Sequence, residues 1–479
     1  MVTYTNNGPN EVMMKLYNTL TRKLEEVKPL EPPIIKLYTC GPTVYSYQHI
    51  GNMRASLVND FLRRALEIQG YNVQHVMNIT DVGHLTSDAD EGEDKLEKGA
   101  KREGKTVWEV ADHFTQAFKQ DRERLNILSP NAYTDPKRHD HFARATDFIT
   151  QQINMVQILL DKNFAYQTEQ AIYFDVAKLP DYGILTGQRL ADKEVGARED
   201  VVTDSDKRNP HDFAVWFFTV GRYADHSMHW LSPWGDGFPG WHLECSAIIH
   251  GTLGDPIDIH TGGIEHIGTH HPNEMAQTEA AFGHKLATIW LHYNHLLVDS
   301  SKMAKSVGNV YLLQDLIDRG FSPLAFRLLS LQTHYRSEQN FTWEALEAAQ
   351  NTLNNLYGWA DQIYQDVPQK GLPKDWKTKI AEMVANDLDF PGAIAILFKR
   401  IDEYAPNGED LEVLDQLFGL GLSSRKDISK EQKSLIQERE KARKDKDWKK
   451  SDKLRDKLAE QGIGLRDTSS GAIWYCIDT

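Results

Sequence analysis

Four side chains with metal-binding chemistry lie at predicted ends of strands or starts of helices: Cys40, Cys245, His270 and Glu274. His270 and Glu274 are four residues apart in a stretch that reads as one helix, so their side chains share a face. Trp241 and Cys245 have the same spacing. Two thiolates, an imidazole and a carboxylate are typical of a zinc site. Each residue alone is more simply explained as a buried side chain, so the hypothesis depends on whether the fold gathers all four.

A second group of residues is typical of a nucleotide site. The apolar run from Ile34 to Tyr38 predicts a strand that ends at Cys40-Gly41-Pro42. The segment His49-Ile50-Gly51-Asn52 then precedes an amphipathic helix, which places His49 and Gly51 at a helix N-terminus. Free backbone N–H groups and the helix dipole favour phosphate there, and a glycine lets a ligand approach the backbone.

A loop with two lysines follows a strand predicted over Leu291 to Val298. The loop, from Asp299 to Asn309, consists of small polar residues around Lys302 and Lys305. Neither a GxxxxGK[ST] phosphate loop nor a GxGxxG fingerprint occurs in the chain. Bound ATP would therefore depend on the two lysines and on the helix N-terminus at His49.

The order of the predicted elements indicates an α/β fold interrupted by an insertion. Strand, helix and strand from Ile34 to Met77 form a βαβ unit, which implies a parallel sheet with ligands at the carboxyl ends of its strands. Thr80 and Asp81 fall at such an end. Over about 129–239 the predicted elements include short β-like stretches and no longer follow the βα pattern. That pattern returns with the strand from Ile257 to His260. The acidic run from Asp88 to Asp94 lacks calcium-loop spacing and is predicted as a solvated loop.

The chain becomes helical after Ser322 and basic near its end. One predicted helix stops at Gly358, a capping box at Ser429 and Gln432 opens another, and Asp447 caps a last one. Residues 439–457 carry ten basic and five acidic side chains, a local net charge of +5 in a chain of −15. This run is either a solvated helical face or a nucleic-acid contact that includes Trp448, and Trp448 could instead pack against Leu454 and Leu458.

Composition restricts the class of protein. Hydrophobic residues at 40% and charged residues at 26% are ordinary for a globular protein, and 479 residues predict several domains. Three scattered cysteines and an N-terminus without an apolar core predict a cytoplasmic protein without disulfides or a membrane span. The net charge of −15 argues against general nucleic-acid coating, so any such contact must be local.

Together these motifs resemble those of cysteinyl-tRNA synthetase, a family of class I aminoacyl-tRNA synthetases. The motifs CGPTVY, HIGN, NITD, GWHLECS, GGIEHIGTHHPNE and SKMAKSVGN occur in the family's order, and LRDT with Gly471 and Trp474 is similar to its closing signature. The resemblance implies a Rossmann-like catalytic domain split by an insertion, a helical bundle and an anticodon-binding module. The expected bounds are 1–128 and 239–321 for the two catalytic halves, 129–238 for the insertion that binds the tRNA acceptor end, 322–426 for the bundle and 427–479 for the module.

The resemblance also implies a role for individual residues, with L-cysteine, ATP and tRNA(Cys) as substrates and Zn²⁺ and Mg²⁺ as ions. Cys40, Cys245, His270 and Glu274 would bind one zinc ion per chain. The other implied contacts are Thr80, Trp241 and His242 with cysteine, Gly41, His49, Gly51, Asn52 and Gly263 with ATP, and Lys302 and Lys305 with its phosphates. His49, Asn52 and the two lysines would be the catalytic residues, and we expect a monomer.

The sequence departs from the family pattern in three places. Asn52 replaces the last histidine of HIGH, and Ala304 replaces the first serine of KMSKS. Glu265 and His266 take the place of a common Asp-Leu pair.

Two other functions are compatible with parts of the pattern. A ligase that transfers activated cysteine to an amino sugar would need the same metal site but no anticodon module, so the basic tail argues against it. A catalytically silent RNA-binding paralogue would not need intact His49, Lys302 and Lys305.

Overall fold

The computed structural model describes residues 13–83, 85–87, 91–187, 206–303, 308–367, 371–468 and 471–476. They divide into two compact units. The first takes its residues from 1–59, 70–122 and 128–295, and the second from 60–69, 123–127 and 296–479.

The helices and strands follow in chain order. Up to residue 303 they are β1 (Lys15–Asn18), β2 (Lys23–Glu26), β3 (Ile34–Thr39), α1 (Ile50–Ile68), β4 (Asn72–Ile79), β5 (Leu85–Ser87), β6 (Glu91–Asp94), α2 (Lys95–Glu103), α3 (Val107–Arg124), β7 (Ala143–Arg144), α4 (Ile149–Asp161), β8 (Ala165–Gln167), β9 (Ala171–Phe174), β10 (Phe213–Phe218), β11 (Trp230–Ser232), β12 (Gly235–Pro239), α5 (Trp241–Thr252), β13 (Ile257–Gly263), α6 (His270–Phe282), β14 (Ala287–Tyr293), β15 (Leu296–Val298) and β16 (Ser301–Lys302). Beyond it they are α7 (Leu313–Asp318), α8 (Pro323–Leu331), β17 (Gln339–Phe341), α9 (Trp343–Ala360), α10 (Lys374–Ala385), α11 (Phe390–Ile401), α12 (Gly408–Phe418), α13 (Lys430–Lys444), α14 (Trp448–Glu460), β18 (Ile463–Thr468) and β19 (Gly471–Cys476).

A five-stranded parallel sheet organises the first unit, as the βαβ pattern predicts. Its strand order is β14-β13-β3-β4-β7. The chain builds from β3 toward β4 and β7 and later returns to add β13 and β14 on the other side of β3. The strand order therefore reverses between β3 and β13, and the carboxyl ends of these two strands form a topological switch point, the usual ligand site of such sheets.

The predicted insertion is a five-stranded antiparallel sheet. Strands β8 to β12, in the order β11-β12-β10-β9-β8, lie in the sequence between β7 and β13 of the parallel sheet. Phe174 and Trp216 of this sheet share an apolar cluster with Leu243 of α5 and Ala276 of α6. The inserted sheet is thus packed onto the two helices that carry three of the four predicted metal ligands.

The parallel sheet is buried by large side chains. Tyr38 of β3 and Trp290 of β14 have no exposed surface, and they share a cluster with Ile248 and Ile249 of α5. All seven residues of β13 are buried, as expected for a strand covered on both faces, although its sequence IDIHTGG contains Asp258 and His260.

Three local predictions are corrected by the structure. The single strand predicted over Leu291 to Val298 is two strands, β14 and β15, which belong to different sheets. Asp94, predicted in a solvated loop, is buried and caps α2 by accepting a hydrogen bond from the backbone N–H of Glu97. The helix predicted to stop at Gly358 runs on to Ala360. Gly358 instead serves packing: a Cβ on it would lie 3.1 Å from the Cβ of Tyr475, so glycine allows β19 to approach α9.

The predicted helix starts near the C-terminus are confirmed. Ser429 and Gln432 form a reciprocal capping box at α13, and the carboxylate of Asp447 accepts from the backbone N–H of Lys450 at α14. The antiparallel hairpin of β18 and β19 packs with both helices around Leu458 and Trp474. Among the described residues, none of the helices has both the length and the apolar character that crossing a bilayer requires.

A buried arginine holds several segments of the second unit together. Arg327 donates from Nε to the carbonyl of Phe418 at 2.6 Å and from Nη1 to that of Leu125 at 2.8 Å. Its guanidinium also pairs with Asp60, whose carboxylate accepts from Arg64 Nε at 2.7 Å. Burial lowers the pKa of Arg327 to about 10, against the opposing charge of Asp60.

We expect Arg327→Met to lower the free energy of unfolding by roughly 3–5 kcal/mol, because it leaves the carboxylate of Asp60 with one buried cation fewer. Urea denaturation of the variant and the wild type measures the change. The control is Arg400→Met, which removes a half-exposed ion pair with Glu403 at 3.5 Å and should cost less than about 1 kcal/mol. Equal losses in the two variants would contradict the role of Arg327.

Candidate metal centre and basic tail

The four predicted metal ligands meet at the switch point of the parallel sheet. Cys40 follows the last residue of β3, Cys245 lies in α5, and His270 and Glu274 lie one turn apart in α6. One donor atom from each residue lies within 4.8 Å of the other three. The tertiary structure therefore gathers residues that come from three separate parts of the sequence.

The donor atoms converge in the manner of metal ligands. Cys245 Sγ lies 3.6 Å from His270 Nε2, and His270 Nε2 lies 2.9 Å from Glu274 Oε1. Glu274 Oε1 is buried and has no partner with hydrogen-bond geometry among the described residues. A carboxylate oxygen that is short of a hydrogen bond beside two thiols and an imidazole fits a soft divalent cation such as zinc.

A second donor set overlaps the first. Cys40, His260, His271 and Glu274 also offer atoms within 4.8 Å of one another. His260 Nε2 lies 2.9 Å from Glu274 Oε2, and His271 Nε2 lies 3.6 Å from Cys40 Sγ. The first set has two thiols, which zinc prefers. His260 is then placed to hold the second oxygen of Glu274, as carboxylate–histidine pairs do behind metal ligands.

The two thiols have pKa values displaced in opposite directions. A hydrogen bond from Cys245 holds the pKa of Cys40 well below its usual value. Burial acts in the opposite direction, and three imidazoles lower the pKa further. The same hydrogen bond and burial raise the pKa of Cys245 well above its usual value. A cation that binds both sulfurs would displace their protons, so its affinity should depend on pH.

The carboxylate of Glu274 is balanced by imidazoles. Burial opposes its ionisation, but the charges of His260 and His270 outweigh burial and lower the pKa of Glu274 to about 2. In return, Glu274 raises the pKa of His270 to about 10 although burial acts in the opposite direction. The site is thus a compact set of mutually dependent charges in a buried environment.

Two of the three residues predicted to border the amino acid contact this cluster. The ring of Trp241 stacks on that of His270 with a centroid separation of 4.4 Å and an interplanar angle of 24°. His242 Nδ1 lies 2.9 Å from His270 Nδ1. Thr80, just beyond the end of β4, donates from its hydroxyl to the buried carboxylate of Glu244 at 2.9 Å.

Sequence analysis missed several buried ionisable residues of the site. They are Glu244, His260, His271 and His292, of which His271 Nδ1 lies 2.8 Å from His292 Nε2. An ionisable residue within a segment predicted to be buried could have indicated them, as with the histidine of the strand IDIH and the acid of the helix WHLEC. Such side chains are rarely buried without a partner. Side-chain contacts across separate elements cannot be read from spacing.

The HIGN segment forms a reciprocal cap at the start of α1. The backbone N–H of His49 donates to Asn52 Oδ1 at 3.3 Å, and that of Asn52 donates to His49 Nδ1 at 3.2 Å. The amide of Asn52, the departure from HIGH, thus has a structural function, since it closes a box of the kind that satisfies free N–H groups at helix starts. Gly51 lies between them in the first turn.

Two predicted ATP-contacting glycines occupy crowded backbone positions. A Cβ on Gly41 would lie 1.8 Å from the carbonyl oxygen of Asn78, and the N–H of Gly41 donates to Asn78 Oδ1 at 2.7 Å. A Cβ on Gly263 would lie 2.2 Å from Glu265 Oε1. At Gly41 packing alone therefore requires glycine, whereas at Gly263 the exposed side chain of Glu265 could move aside; contact with ATP stays a prediction for both.

Of the two predicted phosphate-binding lysines, only one is described. Lys302 ends β16 in the second unit and is exposed, and its carbonyl accepts from Asn309 Nδ2 at 3.1 Å. Lys305 and Ala304 lie outside the described residues.

The structure redistributes the charge of the basic tail. Arg439 is buried and donates to both carboxylate oxygens of Asp467, at 2.7 and 3.0 Å, and Arg443 donates to the same carboxylate at 2.7 Å. These two arginines are largely neutralised within the fold. Within 439–457, the exposed cations are Lys441, Lys444, Lys446, Lys449, Lys450, Lys453, Arg455 and Lys457.

Trp448 is not part of the small core of the tail. It is the first residue of α14 and its side chain is 57% exposed, whereas Leu454 and Leu458 are buried. The alternative that Trp448 packs against these leucines is therefore wrong. An indole exposed among lysines is the combination that binds single-stranded nucleic acid by stacking and charge.

Comparison with known proteins gives matches to two family models and to relatives over most of the chain. Residues 26–351 match the family described as tRNA synthetases class I (C) catalytic domain, and residues 425–474 match the cysteinyl-tRNA ligase anticodon binding domain. Cysteine–tRNA ligase 1 of Burkholderia lata is 42% identical over 470 residues, which cover 96% of each chain. Cysteine–tRNA ligase of Treponema denticola is 40% identical over 499 residues, which cover 96% of this chain and 99% of that protein.

The fold is also similar to a solved structure of more distant sequence. Methionyl-tRNA synthetase of Mycobacterium tuberculosis, in complex with methionyl-adenylate, superposes with a TM-score of 0.54 over 81% of this chain and 82% of that chain. The two sequences are 15% identical, so the likeness concerns the fold alone.

Substitutions distinguish the two overlapping donor sets. We expect Cys245→Ala to lose most of the bound zinc, because it removes one of the two thiolates, and His271→Ala to retain about one zinc per chain. Metal analysis after dialysis against a weak chelator measures both. Loss of zinc from His271→Ala with full occupancy in Cys245→Ala would assign the ion to the second set instead.

Proposed function

This chain belongs to the cysteine–tRNA ligase family of class I synthetases, and from that premise we propose that it joins L-cysteine to tRNA(Cys) with ATP. The cysteine carboxylate attacks the α-phosphorus of ATP, and pyrophosphate leaves. A ribose hydroxyl of the terminal adenosine of the tRNA then attacks the carbonyl of the adenylate, and AMP leaves. Both steps transfer an acyl or adenylyl group without a protein nucleophile, so positioning and charge stabilisation supply the catalysis.

The observation that carries the proposal is the convergence of Cys40, Cys245, His270 and Glu274 within 4.8 Å. Cysteine and serine differ by one atom, and a pocket that depends on size separates such near-isosteres poorly. Cys40, Cys245, His270 and Glu274 would hold a zinc ion, which would supply a preference for thiolate over hydroxyl. The protein's part is to fix the donors. His260 holds Glu274 from behind, and the stacked ring of Trp241 restricts His270.

We further propose that Thr80, Trp241 and His242 border the bound cysteine. Trp241 and His242 both contact His270, so a substrate whose sulfur approaches the metal ligands would lie against them. The stacked indole excludes water from one side of the cluster, which strengthens the electrostatic interactions inside it.

For ATP we propose contacts from Gly41, His49, Gly51, Asn52 and Gly263, with Lys302, Lys305 and Mg²⁺ at the phosphates. The reciprocal cap holds the imidazole of His49 at the start of α1, where the helix dipole favours negative charge. Lysines add positive charge where the transition state gains negative charge on the α-phosphate and on the leaving pyrophosphate.

The activity is tested by cysteine-dependent exchange of pyrophosphate into ATP, followed by charging of total tRNA, with serine as the control amino acid. Exchange without charging of tRNA would favour the amino-sugar ligase, although the match of residues 425–474 to an anticodon-binding domain weighs against it. Absence of exchange would favour the silent paralogue. The cytoplasmic location and the monomeric state stay predictions from the sequence.

Lys305→Ala tests the lysine loop. The variant should slow adenylate formation by roughly two to three orders of magnitude, which is the effect of losing a charged contact in the transition state, with little change in cysteine affinity. Single-turnover formation of cysteinyl-adenylate measures it, and the exposed Lys105→Ala is the control. An unchanged rate in Lys305→Ala would remove the residue from the reaction.

We predict that stacking by Trp448 and the charge of the lysines in the tail contribute separately to tRNA affinity. Trp448→Ala should weaken binding by about 1–3 kcal/mol if the indole stacks on a base, with little change in salt dependence. Lys449→Ala with Lys450→Ala should flatten the dependence of log affinity on log salt by about 0.7–0.9 per lost phosphate contact. Trp108→Ala, which removes an indole 46% exposed in the first unit, is the control. If both tail variants bind tRNA with the wild-type affinity and salt slope, the tail does not contact tRNA.

A further inference from the structure

A buried histidine and a buried aspartate join the inserted sheet to the segment that follows β4. His226 lies in the loop between β10 and β11, and Asp94 is the last residue of β6. His226 Nε2 lies 2.8 Å from Asp94 Oδ2, and each side chain is only 3% exposed. Neither residue is among the predicted metal ligands or substrate contacts, so the proposed reaction does not account for this buried polar pair.

A hydrogen-bond acceptor faces each nitrogen of the imidazole. His226 Nδ1 lies 2.9 Å from the carbonyl oxygen of Met228, which can only accept, so Nδ1 carries a proton. Nε2 faces a carboxylate oxygen at 2.8 Å, and a contact of that length needs a proton between the two atoms. The ring is therefore bonded at both nitrogens, and it cannot turn without breaking a buried hydrogen bond.

The carboxylate of Asp94 is held as firmly as the imidazole. Its Oδ1 accepts from the backbone N–H of Glu97 at 2.9 Å, which caps α2. A Cβ on Gly83 would lie 1.8 Å from Asp94 Oδ2, so the carboxylate packs directly against the backbone that follows β4. Because the carboxylate is buried and bonded on two sides, it cannot move aside, and Gly83 must stay in register with it.

The imidazole is also packed against β12. Its ring stacks on that of Phe238 with a centroid separation of 3.9 Å and an interplanar angle of 7°. Phe238 precedes Trp241 by three residues, and Gly83 follows Thr80 by three residues. The pair thus joins two chain segments that lead directly to Thr80 and to Trp241, which are two of the predicted borders of the bound cysteine.

The same two segments are joined by another hydrogen bond. The hydroxyl of Thr80 donates to Glu244 Oε2 at 2.9 Å, and Glu244 lies with Trp241 in the first turn of α5. A single hydrogen bond would allow the segments to pivot about it, whereas two separate connections restrict both their distance and their orientation. His226 and Asp94 supply the second connection.

We propose that His226 and Asp94 are positioning residues that hold Thr80 and Trp241 at the separation that the bound cysteine requires. This inference rests on the proposed activity and deepens it. Asp94 acts through the backbone at Gly83, and His226 acts through the ring of Phe238. A displacement of about 1 Å at a reacting site can lower a rate by about 100-fold even when the substituted residue lies far from the chemistry.

The test breaks the contact in the whole protein while keeping the stacked ring. In His226→Phe, the kcat/KM for cysteine in pyrophosphate exchange should fall by roughly 10- to 100-fold, mostly through a higher KM, with the KM for ATP unchanged. Asp94→Asn should stay near the wild type, because its amide oxygen still caps α2 and its N–H donates to Nε2. If the unpaired carboxylate prevents His226→Phe from folding, the double variant His226→Phe with Asp94→Asn, which has no such charge, should show the same effect.

A second histidine offers a matched control. The ring of His250 stacks on Phe282 with centroids 4.1 Å apart, and its Nδ1 lies 2.5 Å from Asp255 Oδ1, near the far end of α5. His250→Phe should leave the KM for cysteine as in the wild type.

The outcomes separate this inference from the proposed function. A wild-type KM for cysteine in the folded single or double variant would overturn the inference and leave the proposed activity intact. Equal rises in the KM for cysteine and for ATP would also overturn it, since the loss would then be general. So would an Asp94→Asn protein as impaired as His226→Phe, because the contact would be present without its effect. Absence of cysteine-dependent exchange in the wild type would overturn the proposed function and this inference with it.

Discussion

The pairing of β3 with β13 is the constraint on which the candidate site depends. Tyr38 lies opposite His260 and Thr39 opposite Thr261, so the residue that follows β3, Cys40, is held beside the turn that leads into α6. This parallel pairing joins segments more than two hundred residues apart, and it creates the reversal of strand order at which such sheets bind ligands. A shift of register would move Cys40 away from all its partners.

Burial makes the site both costly and selective. Two thiols, a carboxylate and several imidazoles have been removed from water, and each is tolerated only because a neighbour carries the complementary charge or proton. Glu274 shows this balance, since the charges of His260 and His270 lower its pKa although burial raises it. The donor atoms of Cys40, Cys245, His270 and Glu274 converge on one point, which is an arrangement that a cation would stabilise.

The basic residues of the tail divide into some that are paired within the fold and some that are exposed. Asp467 on β18 pairs with both Arg439 and Arg443, which tie the hairpin to α13. The lysines of α14 have few such partners and surround the exposed indole of Trp448. Ten basic residues in the sequence are therefore two groups in the structure, one that holds the module together and one that is available to a phosphate backbone.

The sequence by itself determined the class of fold, the four donors and the helix caps, because these depend on local periodicity, on the chemistry of residue types and on short spacings such as that of His270 and Glu274. Only the tertiary structure decided what spacing cannot encode. It placed His260 and His271 beside Cys40, buried Arg439 against Asp467, exposed Trp448 and carried α9 through Gly358. The physical reason is that these outcomes depend on which side chains meet across separate elements, and that is set by strand pairing and packing.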